Sequence, residues 1–77
     1  MKEEEYIKQV CENIKQLRIH KGLTQIDLAT EIGIDDSSLR RIESGRTSPT
    51  LKTLYRIAIA SKIEIKELLP DLNLQES

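Results

Sequence analysis

Between Asp35 and Ser44 the chain carries Ser37, Arg40, Arg41 and Ser44 at positions that a short helix aligns on one stripe, opposite Leu39 and Ile42. A ridge of hydroxyl and guanidinium donors is suited to reading acceptors on another molecule. A guanidinium can meet guanine O6 and N7 through two parallel hydrogen bonds, a match worth about 1–3 kcal/mol of discrimination between bases. Arg40 and Arg41 supply two such guanidinium groups, and Ser37 a hydroxyl. Asp36 lies in the same stretch. Its carboxylate either accepts a hydrogen bond from cytosine N4 or simply suits the positive end of a helix dipole.

Other chemistry finds no residues to carry it. A single cysteine, Cys11, excludes an intramolecular disulfide and a cysteine-rich metal site, and reads as a small buried apolar residue. The lone His20 has no partner at metal-ligand spacing. There is no glycine-rich phosphate loop, no nucleophile with a base at supportable spacing, and no carboxylate pair set for acid–base work. The reading is therefore of a non-enzyme with no metal and no cofactor.

The elements that position the ridge can be read from helix punctuation. The first apolar face is Ile7, Val10, Cys11, Ile14 and Leu17, in a helix from about Glu4 to Lys21 that Gly22 ends. A second helix starts at Thr24, where Thr24 and Asp27 have capping-box spacing, buries Leu28, Ala29 and Ile32, and stops at Gly33. A third begins with Asp35 as N-cap and ends at Gly45. Ser48-Pro49 reads as the start of a fourth, with Leu51, Leu54, Ile57 and Ala58 inward. A short fifth, about Glu64 to Leu69, is stopped by Pro70. No stretch alternates long enough for a strand. The expected fold is all-α: a compact five-helix domain over residues 1–70 with a flexible C-terminal tail over 71–77.

Size and charge bound the function. Seventy-seven residues make one thin core without room for a deep cleft. The net charge is −1, which argues against a strongly electrostatic binder, but its distribution is uneven. Residues 1–13 carry −2, residues 14–56 carry +3, and residues 57–77 carry −2. A basic middle between acidic ends fits a basic face with solvating flanks. No apolar run approaches the roughly 18 residues of a membrane span, and the acidic start lacks a signal-peptide core, so a cytoplasmic location is expected.

From Gln25 to Glu43 the pattern suits two short helices crossing at a sharp corner: small Ala29 at the contact, Gly33 in the turn, and Leu28, Ile32, Ile34, Leu39 and Ile42 as anchors. Here the chain resembles the lambda-repressor/Cro-like helix-turn-helix domains, also called the xenobiotic-response-element type. The resemblance runs from about Ile14 to Leu69. It rests on Ile14-x-x-Leu17-Arg18, Gly22-Leu23-Thr24-Gln25, Leu28-Ala29, Ile32-Gly33-Ile34, Leu39-x-Arg41-Ile42-Glu43-x-Gly45, Pro49-Thr50-Leu51, Leu54, Ile57-Ala58 and Leu68-Leu69. It departs at Ser61-Lys62, where the family often has leucine then glycine.

The resemblance implies a sequence-specific double-stranded DNA-binding regulator of transcription, a repressor acting by operator occupancy. It implies a homodimer on a near-palindromic operator, with reading helices about 34–36 Å apart in successive major grooves. Asp36, Ser37, Arg40 and Arg41 fall at its base-reading positions. Gln25 falls where the family binds a phosphate, and Arg46, Thr47, Ser48 and Lys52 look like further phosphate contacts. Arg18 and Glu43 match a structural ion pair between the first and third helices. Tyr55, Ile59, Ile63, Ile65, Leu68 and Leu72 are candidates for the dimer surface. RNA polymerase, through Asp27 and Glu31, or a toxin are further partners open to such a domain. An adaptor or antitoxin module with weak or no DNA binding is the competing reading, favoured by the near-neutral charge and Asp36.

Overall fold

Thirteen residues of this chain are acidic, and three of them, Glu3, Glu4 and Glu5, open its longest element. In the computed structural model, which describes residues 1–72 and 74, α1 runs Glu3–His20. The three glutamates meet the positive end of the helix dipole, and Arg18 and His20 meet the negative end. Val10, Cys11 and Ile14 are buried on its inner face. α2 spans Gln25–Ile32, α3 Asp36–Glu43 and α4 Leu51–Ser61. A 3-10 turn, Ile65–Leu68, follows. Among the described residues there is no strand.

The capping box at α2 forms as the sequence indicates. Thr24 Oγ1 accepts from Asp27 N at 3.0 Å, and Asp27 Oδ2 accepts from Thr24 N at 3.0 Å. Those bonds hold the Asp27 carboxyl below the usual carboxylate range, with the Thr24 backbone N–H the larger cause. Gly33 then reverses the chain at φ +76°, and its neighbour's amide, Ile34 N, reaches back to Ala29 O at 3.0 Å. Only three residues (Gly33, Ile34 and Asp35) separate α2 from α3, so the two helices meet at a tight corner. Asp35 is the N-cap of α3, but its side chain makes no capping bond.

Three expectations need correcting. The fifth element is not an α-helix: the described residues form four, and Ile65–Leu68 is one 3-10 turn. Glu64 N donates to Glu67 Oε2 at 2.9 Å, and Leu69 is already extended before Pro70, so too few residues remain to close an α-helical hydrogen-bond ladder. α4 starts at Thr50, not at Ser48-Pro49. Thr50 Oγ1 accepts from Thr53 N at 3.0 Å, whereas Ser48 Oγ contacts only the neighbouring Pro49 O. Pro49 precedes the cap and lines an apolar cleft with Leu54, the arrangement of a hydrophobic staple. Leu51 thereby becomes the first helical residue and is 72% exposed, so it does not belong to the inner face.

The core unites Ile14, Leu28, Leu39, Ile57, Leu68 and Cys11, each almost fully buried, with Val10, Ala29, Ile32, Ile42 and Leu54 around them. Burying an aliphatic side chain of this kind contributes about 1.5–3 kcal/mol. Burial lifts the Cys11 thiol above its ordinary pKa, which agrees with its reading as an apolar filler. Of the six residues considered for a dimer surface, Leu68 is core and Ile63 and Ile65 pack against it; Tyr55, Ile59 and Leu72 are exposed. Lys62 fills the place of the missing glycine by adopting φ +58°, and Lys21 Nζ donates to Ser61 O at 3.1 Å. The expected tail over 71–77 falls largely on residues 73 and 75–77, outside the described residues.

Candidate nucleic-acid interface

α3 is locked from beneath and open above. Leu39, Ile42 and Glu43 are its buried residues, one stripe of the helix. Glu43 is the unusual member, a carboxylate with a side chain only 2% exposed. Arg18 of α1 answers it with both prongs of its guanidinium: Nε donates to Oε2 at 2.8 Å and Nη2 to Oε1 at 3.0 Å. Gln25, at the start of α2, donates from Nε2 to Glu43 Oε1 at 3.0 Å. The remaining Arg18 nitrogen, Nη1, donates to Leu23 O at 2.8 Å. One carboxylate on α3 is therefore tied to both preceding helices. A buried ion of this kind is tolerable only when its acceptor oxygens are satisfied, as they are here. The Arg18–Glu43 pair inferred from the family resemblance is present with bidentate geometry.

Past α3 the chain folds back on the same end. Gly45, at φ +80°, sends its N–H to Ile42 O at 3.0 Å. Arg46 N and Thr47 N both donate to Arg41 O, at 3.0 and 3.3 Å. These bonds satisfy the last carbonyls of α3 and hold the Arg46–Ser48 loop beside the helix. Cys11 Sγ donates weakly to Thr47 O at 3.8 Å, pinning the loop to α1.

The outer side of α3 forms the wall of an open concavity of about 470 Å³. Ser37, Arg40, Arg41 and Ser44 line it, as do Gln25, Glu43 and Arg46. Lys15 of α1 completes it. Four cations thus face one surface, and the single carboxylate in the lining is already bound to Arg18. The chain's net charge of −1 conceals this local excess. Lys15 escaped the sequence reading, although it lies one turn before Arg18 and hence on the same face of α1. Ser38 was also missed; its Oγ accepts from Arg41 Nη2 at 3.3 Å and steadies that guanidinium.

Not every expected residue joins this surface. Thr47, Ser48 and Lys52 are exposed but do not line the concavity. Ser48 instead borders the separate small cleft with Pro49 and Leu54. Asp36 is outside the lining too, yet it is coupled to it: Arg40 Nη1 donates to Asp36 Oδ2 at 2.7 Å. The two side chains are 55% and 44% exposed, a surface pair weakened by solvent screening. The Arg40 hydrogen bond holds the Asp36 carboxyl below its ordinary range. Gln25 has one amide hydrogen committed to Glu43, leaving its second hydrogen and Oε1 for any ligand.

Residues 14–68 match the family described as HTH_3, Helix-turn-helix. The chain is 39% identical over 62 residues to the uncharacterized HTH-type transcriptional regulator y4dJ of Sinorhizobium fredii, covering 80% of each chain. It is 47% identical over 45 residues to the cryptic phage CTXphi transcriptional repressor RstR of Vibrio cholerae, covering 58% of this chain but 40% of that one. Among solved structures, the restriction-modification controller protein C.AhdI from Aeromonas hydrophila superposes with a TM-score of 0.77 at 32% identity, covering 84% of this chain and 97% of that one.

Proposed function

The chain belongs to the HTH_3 helix-turn-helix family, and from that premise we propose that it is a sequence-specific double-stranded DNA-binding regulator of transcription whose α3 enters the major groove. The observation that carries this reading is the contrast between the two sides of α3. Its inner stripe is fixed by Leu39, Ile42 and the Arg18–Glu43–Gln25 network, while its outer stripe presents Ser37, Arg40 and Arg41 within a concavity ringed by Lys15 and Arg46. Rigid support with exposed donors is what base readout needs, because a base-edge contact discriminates only if the side chain arrives in one geometry.

In this reading Arg41 meets a guanine, Arg40 and Asp36 act next to it, and Ser37 contacts a base or the adjoining phosphate. Gln25 approaches a phosphate with its second amide hydrogen. Lys15 and Arg46 follow the backbone on either side of α3, and the exposed Thr47, Ser48 and Lys52 extend that line. Phosphate contacts set register, and base contacts set sequence. One module of this size makes few base contacts, so we assign a homodimer on a near-palindromic operator, with Tyr55 and Ile59 of α4 as its exposed apolar patch. Regulation then follows from occupancy, by exclusion of polymerase from the bound promoter. Its site of action is the cytoplasm.

Selection of duplexes from a random DNA pool tests this reading. Recovery of a two-fold-related motif, with half-sites about one helical turn apart and affinity falling steeply with salt, is the expected result. No binding to any duplex at low salt would overturn it in favour of a protein-binding adaptor.

A further inference from the structure

The reading helix carries one acidic residue in its first turn, Asp36. Its side chain is 44% exposed and would face a polyanion. It does not stand alone there: its Oδ2 accepts from Arg40 Nη1 at 2.7 Å, one helical turn away. We propose that Asp36 is a specificity-determining residue that acts through Arg40, keeping that guanidinium off the phosphates of non-cognate DNA and releasing it only to a G·C pair. This rests on the reading of α3 as the base-reading helix.

The argument is one of matching partners. While paired, Arg40 and Asp36 carry no net charge between them, so the pair gains nothing from non-specific phosphate contact. Opening the pair on an A·T edge leaves at least one member poorly matched. In the major groove a G·C pair shows guanine O6 and N7 as acceptors beside the cytosine N4 donor. Arg40 can take the first two and Asp36 the third. That single edge satisfies both halves of the opened pair, and it does so without stranding a charge. Because both side chains are exposed and the pair is weak, it opens readily once such an edge is offered. Arg41 differs: its contact in the free protein is the neutral Ser38 hydroxyl at 3.3 Å, so its charge is not cancelled and it remains available to any backbone.

The neighbouring residue supplies an internal control. Asp35 is exposed, carries the same charge at the same helix end, and makes no capping bond with its side chain. If Asp36 acted only as negative charge near the helix N-terminus or near DNA, Asp35→Asn would reproduce Asp36→Asn.

The test uses fluorescence anisotropy with two duplexes of equal length, one recovered by selection from a random pool and one composed only of A·T pairs, over about 0.1 to 1 M salt. Asp36→Asn frees Arg40 for one further phosphate. On the A·T duplex the plot of log affinity against log salt should steepen by about 0.9, equivalent to about eightfold tighter binding at 0.1 M relative to 1 M. On a selected duplex, preference for G·C at one position per half-site should fall. Asp35→Asn should leave the slope nearly unchanged, and Asp36→Asn made in an Arg40→Gln background should not steepen it. Equal effects of Asp35→Asn and Asp36→Asn, or a steepening that persists without Arg40, would overturn the proposal. Thermal melts of each variant verify that it is folded. Failure of the wild-type chain to bind either duplex would instead overturn the DNA-binding reading itself.

Discussion

Replacing Arg18 by methionine removes the guanidinium but keeps an apolar stem of similar length. Three of its nitrogens are in use: Nε and Nη2 on Glu43, and Nη1 on the Leu23 carbonyl. After Arg18→Met the Glu43 carboxylate keeps only the Gln25 amide, in a site where its side chain is 2% exposed and that of Arg18 is 12% exposed. Breaking a buried pair on one side costs about 3–5 kcal/mol, against about 0–1 kcal/mol for a surface pair. A 77-residue domain has a total stability of about 4–12 kcal/mol, so this single change removes a large part of it. Urea denaturation followed by far-UV circular dichroism measures the loss as a shift in midpoint at constant slope. The double variant Arg18→Met/Glu43→Leu should recover most of it, because neither charge is left stranded. A loss below about 1 kcal/mol for Arg18→Met, or a double variant no better than the single one, would refute the view that burial of Glu43 makes this pair a keystone.

Arg41→Ala should relax discrimination at one base position by about 1–3 kcal/mol without altering the melting temperature, read by competition among single-base operator variants. Gln25→Ala should weaken binding to all duplexes alike and lower stability modestly, since Glu43 loses one of its three donors. Lys62→Gly should stabilise the domain by about 1 kcal/mol, because a lysine at φ +58° bears a left-handed strain that glycine lacks; an unchanged or lower melting temperature contradicts this. The Asp27 carboxyl is held below its ordinary value, so its contribution to stability is complete above the usual carboxylate range and is lost as pH falls through its lowered folded value. Asp27→Ala should therefore narrow the gap in melting temperature between neutral and strongly acidic solution; an unaltered gap would remove Asp27 from that role.

Local signals proved the most legible. The Thr24–Asp27 box, the Gly33 corner and the Leu39/Ile42 stripe are each decided by a few adjacent residues, and the structure realises all three. Ser48-Pro49 misled because two residues of the same stretch compete to cap α4. Thr50 prevails by finding the Thr53 amide, with Pro49 packed ahead of it. The last element was over-read because apolar spacing over four or five residues does not distinguish an α-helix from a 3-10 turn. At the candidate site, periodicity alone revealed which side of α3 faces outward. What periodicity does not encode is partnership across elements: Gln25 with Glu43 is set by the corner between α2 and α3, and Lys15 reaches the concavity only through the crossing of α1. The Asp36–Arg40 pair, by contrast, was available from its i,i+4 spacing.

Methylation interference on a selected duplex addresses the placement of α3 in the most direct way, since guanine N7 is exposed only in the major groove. We expect methylation of guanine N7 within each half-site to block binding of the wild-type chain, and the block at one of those guanines to vanish for Arg41→Ala. Binding that tolerates N7 methylation throughout, but is abolished by methylation of adenine N3 in the minor groove, would contradict the account.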